Sequence, residues 1–481
     1  MGRNVLLLYM SIFNKNPKIQ TQTQTNEGAV RYLIEEGETP DCILALCSER
    51  VRKEAKEMPD GSTRTTLEYF RDSFLPKVHI PAERLVVIEV PDSMDEETQF
   101  QAISQLLEKI ETEDTLFVDL SGGLRDVAML LVTVARCMRD LRYVQTRRVI
   151  CAELNNNETV VHDRTQLYGL FDFVTAMDAF FSTGTAQKLT RYLRSEGEKD
   201  PVLHTLLTRI NQFSEDLALC RVRKLNDDLN QIAQALKETP KKSQNLTDLF
   251  FRMLKDRFST EFAELLSSGE KALPALVSWC AGHGMYQQAL TLLCEQMPEY
   301  VCQHIFVQPT PKGWEYLAAQ MQNKGKPWVY PLFHFHFCRL TLMQKEYPYT
   351  TDLRLTLSRD DAEGNMLFGV ANDAEMHDYL DMVLASGQLV IDPVIRPQLE
   401  QAALLYQRVM QYRNQINHAS ASDLGLQSER VLPLDTEHIK ETLQKIAAYL
   451  HEIRPLKRNV PQGVKALPVT KTIPAGAVPN L

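Results

Sequence analysis

The stretch VDLSGGLRDV, Val118 to Val127, decides the fold. An apolar strand runs into Asp119 and Leu120, two glycines follow, and a helix opens with Arg125 on its first turn. Apolar residues at 124, 127, 128, 131, 134, 135 and 138 carry that helix through Met138 at helical spacing. A strand that turns directly into a helix is the unit of a parallel sheet. Glycines at the corner permit close backbone approach, and the new helix presents unpaired N–H groups to an anion.

The same alternation repeats outward from this corner. Val5–Met10, Cys42–Leu46, Leu85–Val90, Thr115–Leu120 and Val149–Leu154 are nearly continuous apolar runs, as strands covered on both faces require. Between them, Glu27–Glu36, Thr66–Phe74, Glu96–Ile110 and Leu124–Met138 carry helical patterns. The expected fold class is α/β plus α: a doubly wound, Rossmann-like parallel sheet, then a mainly helical half with a small mixed insertion. Helical patterns dominate from residue 166, for example Leu167–Leu193, Pro201–Leu236 and Tyr286–Gln296. The insertion spans 325–395, with a hairpin expected at Arg354–Leu357 and Met366–Val370. A long helix is predicted from Pro397 to His418. From Arg454 onward there are five basic residues, no acidic ones and five prolines, so a partly disordered tail is expected.

Bulk properties narrow the function. The chain has 481 residues, a 44% hydrophobic fraction and a net charge of −9, so any polyanion must be met by local basic patches. Nine cysteines without CxxC pairing fit a reducing, cytoplasmic setting with free thiols. No apolar run approaches the roughly 18 residues of a membrane span. The corner is neither GxGxxG nor a Walker A sequence, which argues against dinucleotide and nucleotide-hydrolase chemistry.

Ligands of open α/β sheets bind beyond the carboxyl ends of the strands. Three segments should share that rim: Ser121–Arg125, the polar loop SIFNKNPKIQTQTQTN after Met10, and CSER after Leu46. Hydroxyls and amides prevail there over charges, which suits sugars and bases as well as phosphates. The candidate ligand residues are Ser11, Asn14, Ser48, Ser121, Gly122, Gly123, Leu124 and Arg125. A second constellation is QYRNQINHAS, with Arg413 and His418 separated by four residues. Asn414 and His418 are i and i+4 and share a helix face. Arg413 lies about 140° round from His418 at 3.6 residues per turn, within reach of a long side chain near a helix end. Histidine moves protons near neutral pH, and an arginine fork holds phosphate oxygens. Such a pair suits proton transfer at a phosphodiester, and a ribonuclease of this kind would use the 2′-OH of RNA and leave 2′,3′-cyclic phosphate and 5′-OH ends, as the resemblance described next implies.

The corner resembles the CARF domain of ancillary proteins of type III CRISPR systems, where a strand ends in an Asp–hydrophobic–Thr/Ser–x–Gly–x–Arg type segment. DLSGGLRD fits with Ser121 in the hydroxyl position and with Gly123 and Arg125 in theirs. FDFVTAMDAFFSTGTAQKL, Phe171–Leu189, is similar to the connecting helix after a CARF domain. YQQALTLLCEQMPEYV, Tyr286–Val301, is similar to the helical signature of the effector half, and R-x4-H is similar to the motif of HEPN ribonucleases. The resemblance implies a CARF domain over 1–165, a connecting helix over 166–200, a HEPN domain over 201–455 and a flexible basic tail over 456–481. It further implies a homodimer, with Arg413, Asn414 and His418 catalytic, that needs no cofactor and cleaves single-stranded RNA when cyclic oligoadenylate binds. Cyclic tetra-adenylate is the favoured ring and cyclic hexa-adenylate the alternative. A CARF-containing sensor or scaffold without nuclease activity is the competing reading, and a HEPN toxin independent of the ring is a third.

Two further stretches carry chemistry. FHFHFC, Phe333–Cys338, would align His334, His336 and Cys338 on one face if it were a strand, which is metal-ligand spacing. Partly exposed histidines on a strand or helix are the simpler reading. RYVQTRR, Arg142–Arg148, is a small basic patch expected on a surface loop, with guidance of RNA or ring as its functional alternative.

Overall fold

The computed structural model describes residues 2–13, 24–57, 61–93, 95–123, 125–155, 158–196, 201–238, 246–267, 272–320, 326–337, 373–418 and 435–472. Its contacts divide the chain into two units, Met1–Val174 and Thr175–Leu481.

Unit 1 is built in the order β1 Asn4–Tyr9, α1 Thr25–Glu35, β2 Cys42–Cys47, α2 Glu49–Lys53, and the small hairpin β3 Ala55–Glu57 with β4 Thr63–Thr65. A helical stretch then runs from α3 Thr66–Tyr69 through a π-turn, Phe70–Phe74, into α4 Leu75–Lys77. There follow β5 Leu85–Glu89, α5 Glu96–Lys109, β6 Thr115–Asp119, α6 Arg125–Arg142, β7 Gln145–Asn155, β8 Glu158–Asp163 and the first half of α7 Thr165–Thr183, which passes into unit 2 at Thr175. The main sheet has the order β5-β2-β1-β6-β7-β8, parallel except for β8, which runs antiparallel to β7 at the edge.

The side-chain alternation of β1 builds both layers. Val5, Leu7 and Tyr9 face one side with Leu44, Val118, Leu106 of α5 and Leu131 of α6. Leu6, Leu8 and Met10 face the other with Ile43, Phe117, Val30 of α1 and Phe74. Helices on both faces explain why the strands read as continuous apolar runs.

Strand β8 and the small hairpin escape the sequence reading because they are charged, lack an apolar run and gain their pairing from a neighbour. Arg147 and Arg148 lie on β7 rather than on a loop. Arg148 ion-pairs with Glu38 at 2.5 Å, Glu36 at 2.7 Å and Asp163 at 2.9 Å, and Arg147 meets Glu38 at 2.6 Å. These carboxylates raise the Arg148 pKa against the cost of its burial. The basic patch therefore knits α1, β7 and β8 together.

Unit 2 is mainly helical, with α8 Gln187–Glu196, α9 Pro201–Ala218, α10 Val222–Lys237, α11 Leu246–Glu261, α12 Ala263–Ser267, α13 Leu273–Gly282 and α14 Tyr286–His304. Then come β9 Val307–Pro309, α15 Pro311–Gln320, α16 Val329–Pro331, α17 Asp373–Ala385, β10 Leu389–Ile391, α18 Arg396–His418 and α19 Thr436–Ile453. The hairpin expected at 354–370 lies outside the described residues.

The tail departs from expectation through residue 472. Trp328 donates its indole N–H to the Pro468 carbonyl at 2.9 Å, and Gln308 bonds to both the Lys465 carbonyl and the Leu467 N–H. Leu467 and Val469 are buried. Composition suggested disorder, but a few apolar side chains and three buried polar anchors are enough to hold the segment down.

Candidate functional site

The strand order places β2 on one side of β1 and β6 on the other. The chain therefore leaves β1 toward α1 and leaves β6 toward α6 on opposite sides, opening a crevice beyond their carboxyl ends. Met10–Phe13 and Leu120–Gly123 form its described walls.

A polar brace sets the corner. Asp119 is fully buried and accepts from the Ser121 N–H at 2.8 Å, from Asn26 Nδ2 at 2.7 Å and from the Ser121 hydroxyl. Asn26 also donates to the Tyr9 carbonyl at 3.2 Å and accepts the Ser11 N–H at 2.7 Å. The Ser121 hydroxyl itself accepts the Ala152 N–H at 2.6 Å. The Ser121 side chain is thus committed inside the fold, binding the end of β6 to β7, while Asp119 ties β6 to α1. Ser48 is buried as well, beside the Tyr9 phenol and the Asp92 carboxylate.

The two glycines have different duties. A Cβ on Gly122 would sit 2.0 Å from the Tyr9 carbonyl oxygen, so only glycine lets β6 turn so close to β1. Gly123 has φ +90°, with the Tyr9 ring 2.7 Å from where its Cβ would fall. Gly122→Ala is expected to cost about 1–3 kcal/mol of stability, as overpacking against a fixed backbone does. An unchanged urea midpoint would show that the corner yields without cost.

Burial pushes the Asp119 carboxyl up from 3.8 to about 6, against the opposing hydrogen bonds from Ser121 and Asn26. The folded state thus holds this proton more tightly than the unfolded chain. Its contribution to stability is present at low pH and is lost as pH rises through about 6. The shift is worth at most about 3 kcal/mol. Asp119→Asn is expected to flatten stability between about pH 4 and 6 in urea titrations. A profile as steep as that of the wild type would place the titration elsewhere.

Two groups at the crevice have no partner among the described residues. The Ser11 hydroxyl is buried and unbonded, and both amide atoms of the fully buried Gln24 are unbonded. Gln24 occupies the N-cap position of α1 without capping it. A buried amide left unsatisfied is costly, and such groups are commonly completed by a ligand or by water. Sequence reasoning included Gln24 in the polar loop without singling it out. Its one signal is its place directly before Thr25, where α1 begins. Asn14 and Leu124 lie outside the described residues. Arg125 begins α6, but its side chain is not among the described parts.

Helix α18 carries the second constellation. Leu399, Ala402, Ala403, Tyr406, Val409 and Met410 give it a buried face at helical spacing. Tyr406 donates to the Cys294 carbonyl of α14 at 3.2 Å, and the Met410 sulfur lies 3.4 Å from Cys294 Sγ. Burial pushes the Cys294 thiol up to about 12, and the nearby Arg413 guanidinium opposes it. Arg413 donates to Asn414 Oδ1 at 3.3 Å in the last turns of α18. Gln287, at the start of α14, donates to Asn417 Oδ1 at 3.4 Å. His418 is the last residue of the helix, its side chain outside the described parts. Arg413 and Asn414 are therefore brought together on a rigid helix end backed by α14.

FHFHFC is not a strand. Leu332–Phe337 forms a π-helical turn, which sends His334 and His336 to different faces. Burial pushes His336 down to about 4. Cys338 lies outside the described residues. Among the described residues, no group of three His, Cys, Asp or Glu side chains is placed to hold a metal ion. No helix among them is long and apolar enough to cross a membrane.

Comparison with known proteins leaves this geometry to speak for itself: no protein-family model and no curated protein matches the chain.

Proposed function

We propose that this chain is a ligand-gated ribonuclease. Unit 1 takes cyclic oligoadenylate at the Gly-Gly crevice in the manner of a CARF domain, and unit 2 cuts single-stranded RNA with the R-x4-H set of a HEPN domain. The observation that carries the reading is the pairing within one chain of an unsatisfied polar crevice at a topological switch point with Arg413 and Asn414 on a helix end.

The chemistry follows from the residue types. His418 serves the proton transfers between the attacking 2′-OH and the leaving 5′-oxygen. Arg413 steadies the phosphorane charge with its fork. Asn414 orients the guanidinium through the bond already present. No step requires a metal. A two-fold ring asks for a two-fold receptor, so the active species is a homodimer in which each chain offers the same contacts. Met129 on α6 and Leu167 and Phe171 on α7 are exposed apolar side chains that a second copy can cover.

Incubation of labelled single-stranded RNA with the protein, with and without cyclic tetra- or hexa-adenylate, tests the reading. Stimulated cleavage leaving 2′,3′-cyclic phosphate ends is expected. Ring binding without cleavage would instead make the chain a sensor or scaffold. Cleavage indifferent to both rings would make it a free-standing toxin.

A further inference from the structure

An unassigned feature is a cleft of about 850 Å³ within unit 2. One wall is α14, with Thr291, Gln296 and Gln303; Arg223 and Lys224 of α10 and Lys326 face it. The charges are not balanced. Four cations line the cleft, Arg221, Arg223, Lys224 and Lys326, against two carboxylates, Glu295 and Glu299. Arg221 is held by the buried Asp216 at 3.0 Å. Lys326 lies 3.3 Å from Glu295 and 3.7 Å from the centre of the Tyr330 ring. Arg223 and Lys224 are exposed and make no salt bridge among the described residues. On a chain of net charge −9, this concentration of cations is local.

The position of the cleft gives it a direction. Thr291 donates to the Gln287 carbonyl at 2.8 Å, one turn along α14, and Gln287 bonds to Asn417 at the end of α18. From Gln287 to Gln303 the helix covers about 24 Å at 1.5 Å per residue. The cleft therefore begins one turn from the Arg413–Asn414 end and leads away from it.

We propose that this cleft is a track for a single-stranded RNA segment. Arg223, Lys224 and Lys326 take successive phosphates, and the amides of Gln296 and Gln303 meet sugar hydroxyls and base edges. A backbone-directed groove of this kind binds without marked sequence preference. The choice of RNA rests on the ribonuclease reading; the cationic cleft itself does not.

The test is fluorescence anisotropy with a labelled 2′-O-methyl single-stranded oligoribonucleotide. It cannot be cut by 2′-OH attack, so binding is read whether or not the chain is a nuclease. Arg223→Ala/Lys224→Ala, both on the exposed surface of α10, is expected to weaken binding. The plot of log affinity against log salt should become shallower by about 1.4, from about 0.7 for each lost phosphate contact to a single strand. In parallel, the double variant should raise KM for unmodified RNA with kcat retained. Failure of the wild-type chain to bind, or a double variant with the wild-type affinity and salt slope, overturns the track. Binding that depends on these residues in a chain that cuts no RNA with either ring would leave the track standing and remove the ribonuclease reading.

Discussion

Arg413→Ala and His418→Ala are each expected to leave a folded protein that barely cleaves RNA. Loss of a positioned proton-transfer group costs about 10²–10⁴-fold in rate, and loss of a donor to the transition-state charge about 10²–10³-fold. Arg413 belongs to the half-buried side of the last turns of α18, yet its only side-chain hydrogen bond among the described residues is to Asn414. Its removal therefore leaves the buried face of the helix, from Leu399 to Met410, intact. Far-ultraviolet circular dichroism should match the wild type while single-turnover cleavage falls. Retention of cleavage in both variants, with contaminating ribonuclease excluded, would move the active site elsewhere. EDTA is expected to leave the wild-type rate unchanged. Loss with EDTA and recovery on adding a divalent ion would overturn the metal-independent mechanism.

The second large effect is expected at the crevice. Arg125→Ala removes a charged donor from the first turn of α6 without touching the nuclease set. A charge-assisted hydrogen bond is worth about 1.5–3 kcal/mol, or about 10–150-fold in affinity. Activation by cyclic oligoadenylate should move to correspondingly higher concentration while basal cleavage persists. Arg125 is a sharper probe than either glycine. Replacing Gly122 drives a side chain into the Tyr9 carbonyl, and replacing Gly123 drives one into the Tyr9 ring from a positive φ. A glycine variant would confuse a damaged fold with a damaged site. An activation midpoint in Arg125→Ala equal to that of the wild type would mean that this side chain does not contact the ring.

Much of the framework was legible from residue order. The five parallel strands and the four helices between them follow from continuous apolar runs alternating with helical spacing, because a strand covered on both faces must be apolar at every position. The Gly-Gly corner and the long helix ending at His418 were legible for the same local reasons. The segments after Met10, Leu46 and Leu120 follow neighbouring parallel strands, so their shared end of the sheet was legible too.

What tertiary structure decided was which polar groups are spent and which are free. Ser121 and Ser48 look like ligand contacts in the sequence, but folding commits the Ser121 hydroxyl to the Ala152 N–H and buries Ser48. Gln24 is inconspicuous in the sequence, yet folding buries its amide with no partner among the described residues. Arg147 and Arg148 read as a basic loop until Glu36, Glu38 and Asp163 arrive from α1 and β8. FHFHFC alternates like a strand but coils into a π-turn, and the proline-rich tail is pinned by Trp328 and Gln308. Apolar periodicity is a local property of the chain and survives in the sequence. Hydrogen-bond satisfaction and charge pairing are made between residues 15 to 157 positions apart, and only the folded chain brings them together.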